Sequence, residues 1–243
     1  MSMNDYCVTG RNASREMVRS GKVKVLYTLQ RFSSDPVVVL ANQNNVKVIF
    51  ADEKKLSTLA KTTNHQGFVS LVEAFQTITL KELIGKAKAK RNPLILMLDG
   101  IEDPNNLGAI LRSADAFGID GIIIKRRGEV PLNETVARVS TGAIAYVDVC
   151  QVSNLSQAIS ELKDHGFWIV SSDGEATKGY DEIDYDCPIV MVVGSEGFGI
   201  SKNVLSHSDF IVKIPMVGHV NSLNASVATG ILLSYISVSR KSK

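Results

Sequence analysis

The residues of this chain best placed to do chemistry sit where apolar runs give way to small and polar ones. PIVMVV (188–193) runs into Gly194-Ser195-Glu196-Gly197-Phe198-Gly199, and DFIVKIP (209–215) runs into Met216-Val217-Gly218-His219-Val220-Asn221-Ser222-Leu223-Asn224. A third segment, Asp103-Pro104-Asn105-Asn106, is a turn opening the amphipathic run NLGAILRSADAF, with Arg112 inside it. Glu196, between glycines, has the type and setting to orient a ligand or accept ribose hydroxyls; a solvated loop carboxylate has the same pattern. Asn106 either holds a backbone or ribose group or simply caps its helix. Arg112 either binds phosphate through its fork of donors or is an exposed helix arginine. Ser222 and Asn224 read equally as caps or as site residues. His219 is a loop histidine, a type more often idle than functional.

These motifs exclude several chemistries. GSEGFG reads GxxGxG, not the GxGxxG of dinucleotide sites, and no GK[ST] follows it as a P-loop requires. The three cysteines, Cys7, Cys150 and Cys187, are far apart without CxxC spacing. They fit buried thiols in a reducing cytosol rather than a disulfide framework or a zinc site. No metal-ligand cluster stands out, and no metal is expected. No apolar run reaches the roughly 18 residues of a membrane span, and MSMNDYCVTGRN lacks a signal-peptide core. A cytoplasmic protein without membrane contact is expected.

The elements that must position these residues alternate between strand and helix. From residue 93 onward LILMLDG (94–100), GIIIK (121–125), AYVDVC (145–150), FWIVSS (167–172), PIVMVV and FIVKIP read as strands. Helices are expected over 106–117, near 134–142, over 153–166 and at the C-terminal end. Continuous apolar strands between helices predict an α/β fold with a parallel sheet covered on both faces. Ligands bind such sheets at the carboxyl ends of the strands, where the polar turns above lie.

Charge divides the chain. Residues 1–92 carry 15 Lys+Arg against 7 Asp+Glu, and the remainder 12 against 18, within a net formal charge of +2. A basic first part is suited to a polyanion, and an acidic second part to a smaller ligand. The first part reads as a small α/β unit, with strands at 23–28, 46–51 and 67–73 and a helix over 52–62. The domains expected are 1–75, a basic linker over 76–92 that ends before Pro93, and 93–243.

Together, NNLGAILRSADAFG, VVGSEGFGIS and IPMVGHVNSLNASVATGI resemble the three motifs of the SpoU (TrmH-like) branch of the SPOUT RNA methyltransferases, over 93–240. YCVTGRNASREMV (6–18) and HQGFVS (65–70) are similar to that family's N-terminal substrate-binding domain, of ribosomal-protein-L30e-like fold. The two-domain arrangement is most similar to the family's bacterial enzymes that 2′-O-methylate a guanosine of 23S rRNA.

The resemblance implies S-adenosyl-L-methionine as methyl donor, a trefoil knot formed by the C-terminal strands and helix, and a homodimer. It assigns cofactor binding to Gly194, Ile214, Met216 and Leu223, with the 217–222 loop around them. It assigns catalysis to Asn106, Arg112, Glu196, Ser222 and Asn224. It implies a reaction at a ribose 2′-OH of RNA, with Arg112 either as the base or, since a guanidinium stays protonated, as an orienting and charge-stabilising group. The alternatives are a tRNA 2′-O-methyltransferase and, in another class, a non-catalytic RNA-binding or assembly protein.

Overall fold

The computed structural model describes residues 5–219 and 222–241. In chain order the elements are β1 (Asp5–Thr9), α1 (Arg11–Arg19), β2 (Val23–Thr28), α2 (Pro36–Gln43), β3 (Lys47–Phe50), α3 (Glu53–Ala60), β4 (Phe68–Glu73) and α4 (Leu80–Ala87). They continue with β5 (Leu94–Asp99), α5 (Pro104–Phe117), β6 (Gly121–Lys125), α6 (Glu134–Val139), β7 (Val149–Val152), α7 (Leu155–Asp164), β8 (Trp168–Ser172) and β9 (Lys178–Gly179). The last are β10 (Ile189–Gly194), α8 (Lys202–Leu205), β11 (Phe210–Lys213) and α9 (Ala225–Lys241). Two compact units result: residues up to Gln76 with Leu132–Tyr146, and Thr77–Pro131 with the chain from Val147 onward.

The first unit holds a four-stranded sheet in the order β1-β4-β2-β3, antiparallel except for β2 beside β3. Asp52 and Asp35 cap α3 and α2 by accepting the Lys55 and Val37 N–H groups. Before β4 the chain turns at Gln66 and Gly67, both at positive φ. A Cβ at Gly67 would stand 2.3 Å from the Phe32 ring, so only glycine fits. β1, α1 and α2 are not legible in the sequence: each is short, and in α2 the β-branched run Val37-Val38-Val39 favours strand over helix. α6, inside the stretch expected to belong wholly to 93–243, instead lies with the first unit: the Cys7 N–H donates to Glu134 Oε1 at 2.9 Å. Burial, with Glu134 nearby, pushes the Cys7 thiol up to about 11, and burial does the same at Cys150. Neither is a ready nucleophile.

The second unit holds seven parallel strands in the order β7-β6-β5-β10-β8-β11-β9. The central strands β5 and β10 are apolar up to their last residues, Asp99 and Gly194, and pair residue for residue, Ile189 with Leu94 and Gly194 with Asp99. The residues expected as a basic, helix-prone linker build α4, which belongs to the second unit. Thr79 and Glu82 close a capping box at its start, and Leu83, Ile84 and Ala87 are buried in the core with Ile95, Met97 and Ile123. Leu80, Leu83, Ile84 and Ala87 recur at helical spacing, a pattern obscured in the sequence by the intervening lysines. Among the described residues no helix is long and apolar enough to cross a membrane.

Candidate active site

β10 carries the first site loop. The Ser195 N–H donates to the carbonyls of Asp99 and Gly199, both at 3.1 Å, and the Gly199 N–H returns to the Ser195 carbonyl at 2.9 Å. The loop therefore folds back on its own base. A Cβ at Gly194 would lie 2.1 Å from the Gly199 carbonyl carbon, so the loop's own backbone imposes glycine there.

Asp99, at the end of β5, anchors the other end of the loop. Its Oδ2 accepts the Ser201 N–H at 2.8 Å, and its Oδ1 pairs with Lys125 Nζ at 2.8 Å. Burial raises the Asp99 pKa, but the Lys125 ammonium and the Ser201 donors outweigh it and hold the carboxyl below its usual range. Beside it, Glu129 accepts the Gly100 N–H at 2.9 Å and the Lys125 N–H at 3.0 Å. Desolvation dominates there and pushes its carboxyl up to about 7.

Three chain segments converge on Glu196. Its Oε1 accepts from Asn106 Nδ2 at 3.0 Å, from Asn224 Nδ2 and from the Ala225 N–H at 3.4 Å. Asn224 Nδ2 also donates to Asn106 Oδ1 at 2.9 Å. The cap of α5 is Asp103, which accepts the Asn105 N–H, and this leaves the Asn106 side chain free to reach the carboxylate. Asn224 does two things at once: its Oδ1 accepts the Ser226 N–H at 3.0 Å and so caps α9, while its amide nitrogen faces Glu196. A helix cap and a contact to Glu196 coexist in one side chain.

Arg112 stands apart from this cluster. It lies six residues beyond Asn106 on α5, about 240° around the helix, and is exposed.

Two cavities flank the Glu196 loop. The inner one, about 180 Å³, is lined by Gly194, Glu196, Ile214, Met216, Ser222 and Leu223, and also by Ser172, Asp173, Gly174 and Lys213. The segments 214–216 and 222–224 carry no regular structure, so their backbone N–H and C=O groups are not committed to a helix or a sheet. Carboxylates at Asp173 and Glu196 suit a cationic centre. Val220 and Asn221, part of the loop expected to surround a cofactor, lie outside the described residues. The outer cavity, about 210 Å³, shares Ser195 and Glu196 and adds Gly100, Ile101, Glu102, Asp103, Asn106 and Phe198.

Sequence reasoning missed Ser172-Asp173-Gly174, though its signal was available: a small-residue turn after a buried strand, as at Gly194. It missed Asp99, Lys125 and Glu129 because nothing local links residues of three separate segments. Among the described residues no group of three or more His, Cys, Asp or Glu is arranged to hold a metal ion.

Comparison with known proteins agrees with this geometry. Residues 93–234 match the SpoU rRNA Methylase family, and residues 7–78 match the family described as RNA 2′-O ribose methyltransferase substrate binding. A Staphylococcus saprophyticus protein, assigned by its name to the TrmH family of tRNA/rRNA methyltransferases, is 40% identical over 236 residues, covering 95% of this chain and 94% of the relative. The structure of an AdoMet-bound rRNA methyltransferase from Sinorhizobium meliloti is similar with a TM-score of 0.80 at 25% identity, over 96% of this chain and 87% of that one. A TrmH/SpoU tRNA modifying enzyme from A. aeolicus is 32% identical with a TM-score of 0.58, over 67% of this chain and 83% of its own. With its parallel sheet, its looped carboxylate and its substrate-binding first unit, the chain belongs to the SpoU rRNA methylase family.

Proposed function

We propose that this RNA methyltransferase moves the methyl group of S-adenosyl-L-methionine to the 2′-OH of a guanosine ribose in 23S rRNA. The observation that carries the reading is the carboxylate of Glu196, pinned by two asparagines on the wall between two cavities. The inner cavity fits the cofactor: its apolar side chains suit an adenine, its backbone groups suit the adenine edge, and its carboxylates suit a sulfonium. In this reading Gly194, Ile214, Met216 and Leu223 hold the cofactor, with Ser222 of the catalytic set lining the same cavity. Bound there, it would supply a methyl group already activated by the positive sulfur.

The chain's task is then positioning and the removal of one proton. Glu196, Asn106 and Asn224 orient the ribose. Arg112 holds an RNA phosphate and stabilises the developing alkoxide. Because Arg112 lies about 240° around α5 from Asn106 and is exposed, this role is assigned together with a homodimer built on α5 and α9, which pack on each other in one copy. The reading includes the trefoil knot: β11 lies beyond β8 in the sheet, yet α9 returns to α5 and β10.

The separate first unit supports rRNA over tRNA, as does the coverage of the two solved relatives: the rRNA enzyme spans both parts of this chain, the tRNA enzyme about two thirds of it. The experiment is to map 2′-O-methyl sites on rRNA and tRNA from cells with and without the protein. One 23S guanosine losing its methyl group is the expected result. A lost tRNA site favours the runner-up, and unchanged maps favour a non-catalytic RNA-binding role.

A further inference from the structure

We propose that the outer cavity receives the base of the acceptor nucleotide, and that the base stacks on the ring of Phe198. The proposal rests on the reading of the Glu196 site as a ribose methyltransferase centre. Phe198 is 97% exposed, a large apolar ring left in water at the tip of the loop. It is not a loose tip. The Phe198 N–H donates to Ser195 Oγ at 3.3 Å, and the bonds between Ser195 and Gly199 close the loop beneath it. A rigidly presented, solvent-facing aromatic is the platform on which RNA-binding proteins stack unpaired bases.

The neighbourhood selects the base rather than the backbone as occupant. Glu102 and Asp103 line the same cavity, and two carboxylates repel a phosphate. They are suited to accept from the exocyclic amino and ring N–H groups of a base edge. The connectivity of a nucleoside fits as well. One glycosidic bond joins base to ribose, so a base in the outer cavity puts its ribose at the wall shared by the two cavities, over Ser195 and Glu196. There the 2′-oxygen faces the inner cavity, where the methyl group would lie.

The test uses the full chain and an unmodified large-subunit rRNA transcript. Phe198→Ala is expected to lower kcat/KM for RNA roughly 10- to 100-fold, as loss of one stacked base does, with S-adenosylmethionine affinity by calorimetry unchanged. Phe198→Trp should retain activity. Phe198→Leu, apolar without a π face, should behave like Phe198→Ala. The chain's single tryptophan permits a direct readout. In a Trp168→Phe background, Phe198→Trp should lose fluorescence when the transcript and S-adenosylhomocysteine are added.

Wild-type turnover in Phe198→Ala overturns the proposal while leaving the methyltransferase reading intact, and so does full activity in Phe198→Leu or an indole unaffected by RNA. Wild-type protein that methylates neither rRNA nor tRNA transcripts overturns both.

Discussion

The Asn106 amide donates to Glu196 Oε1 across 3.0 Å although the two are 90 residues apart, and Asn224 binds both partners from a third segment. A carboxylate with three donors on one oxygen is fixed in direction as well as in place, which is what a group that orients a ribose needs. Glu196→Gln replaces an acceptor with a side chain that also donates, and sets its amide against two others. Turnover should fall about 100-fold or more, while calorimetry should still detect S-adenosylmethionine. Single-turnover transfer from labelled cofactor gives the measure, and a rate within a few-fold of wild type would remove Glu196 from the chemistry.

Asp99 fastens the loop at both ends, through its carbonyl to Ser195 and its carboxylate to Ser201. Asp99→Asn leaves Lys125 partly buried without its counter-charge, and should cost about 3 kcal/mol in chemical denaturation. Asp99→Leu combined with Lys125→Met removes both charges and should recover most of that stability, yet not the activity, because the Ser201 anchor stays lost. Recovery of activity along with stability would show that Asp99 only supports the fold.

Glu129 gives the stability a pH dependence of defined sign. Its folded pKa, about 7, lies above the unfolded 4.5, so the native state binds more protons between those values. The contribution is fully present below about pH 4.5 and is lost as pH rises through 7, roughly 3 kcal/mol in all at about 1.4 kcal/mol per unit. Asp99, with its lowered pKa, acts in the opposite sense in a separate window, losing stability as pH falls below its ordinary 3.8. Urea unfolding at half-unit steps between pH 5 and 8 should show the Glu129 slope, and Glu129→Gln should flatten it. An unchanged slope in the variant would place its origin elsewhere.

Gly194→Ala drives a methyl group into the Gly199 backbone, which has no flexible side chain to yield. It should cost about 2–3 kcal/mol and also abolish cofactor binding, since the loop must open. A stable variant with normal S-adenosylmethionine affinity would show that the loop tolerates another path.

Arg112→Ala should abolish transfer with cofactor affinity near normal, and Arg112→Lys should rescue it poorly, because a point charge does not replace the planar fork. Since Arg112 is exposed and off the Asn106 face of α5, a heterodimer test adds information. Mixing inactive Arg112→Ala with inactive Glu196→Gln should regenerate some activity, through the site that receives both intact groups from different copies. No complementation would mean that each chain works with its own Arg112.

The alternation of apolar strands and amphipathic helices from residue 93 is written locally in side-chain periodicity, so the parallel α/β class and the strand-end position of the polar turns were legible without coordinates. So were Asn106, Glu196, Ser222 and Asn224 as candidates, because small and polar residues directly after buried strands expose backbone where ligands bind. Strand order was not legible: β10 between β5 and β8 follows from how the faces pack, and no local pattern encodes it. That order alone sets Gly194 beside Asp99, and with it the clamp through Lys125 and Ser201. The role of α4 was hidden because its lysines give charge while its leucines give burial, and only the packed core shows which property prevails. Asn106 and Asn224 had the types of caps and of ligands alike. The tertiary structure separated those options, giving the α5 cap to Asp103, a bond to Glu196 to Asn106, and both a cap and a bond to Glu196 to Asn224, because a side chain's contacts depend on which groups the fold brings within hydrogen-bond reach of it.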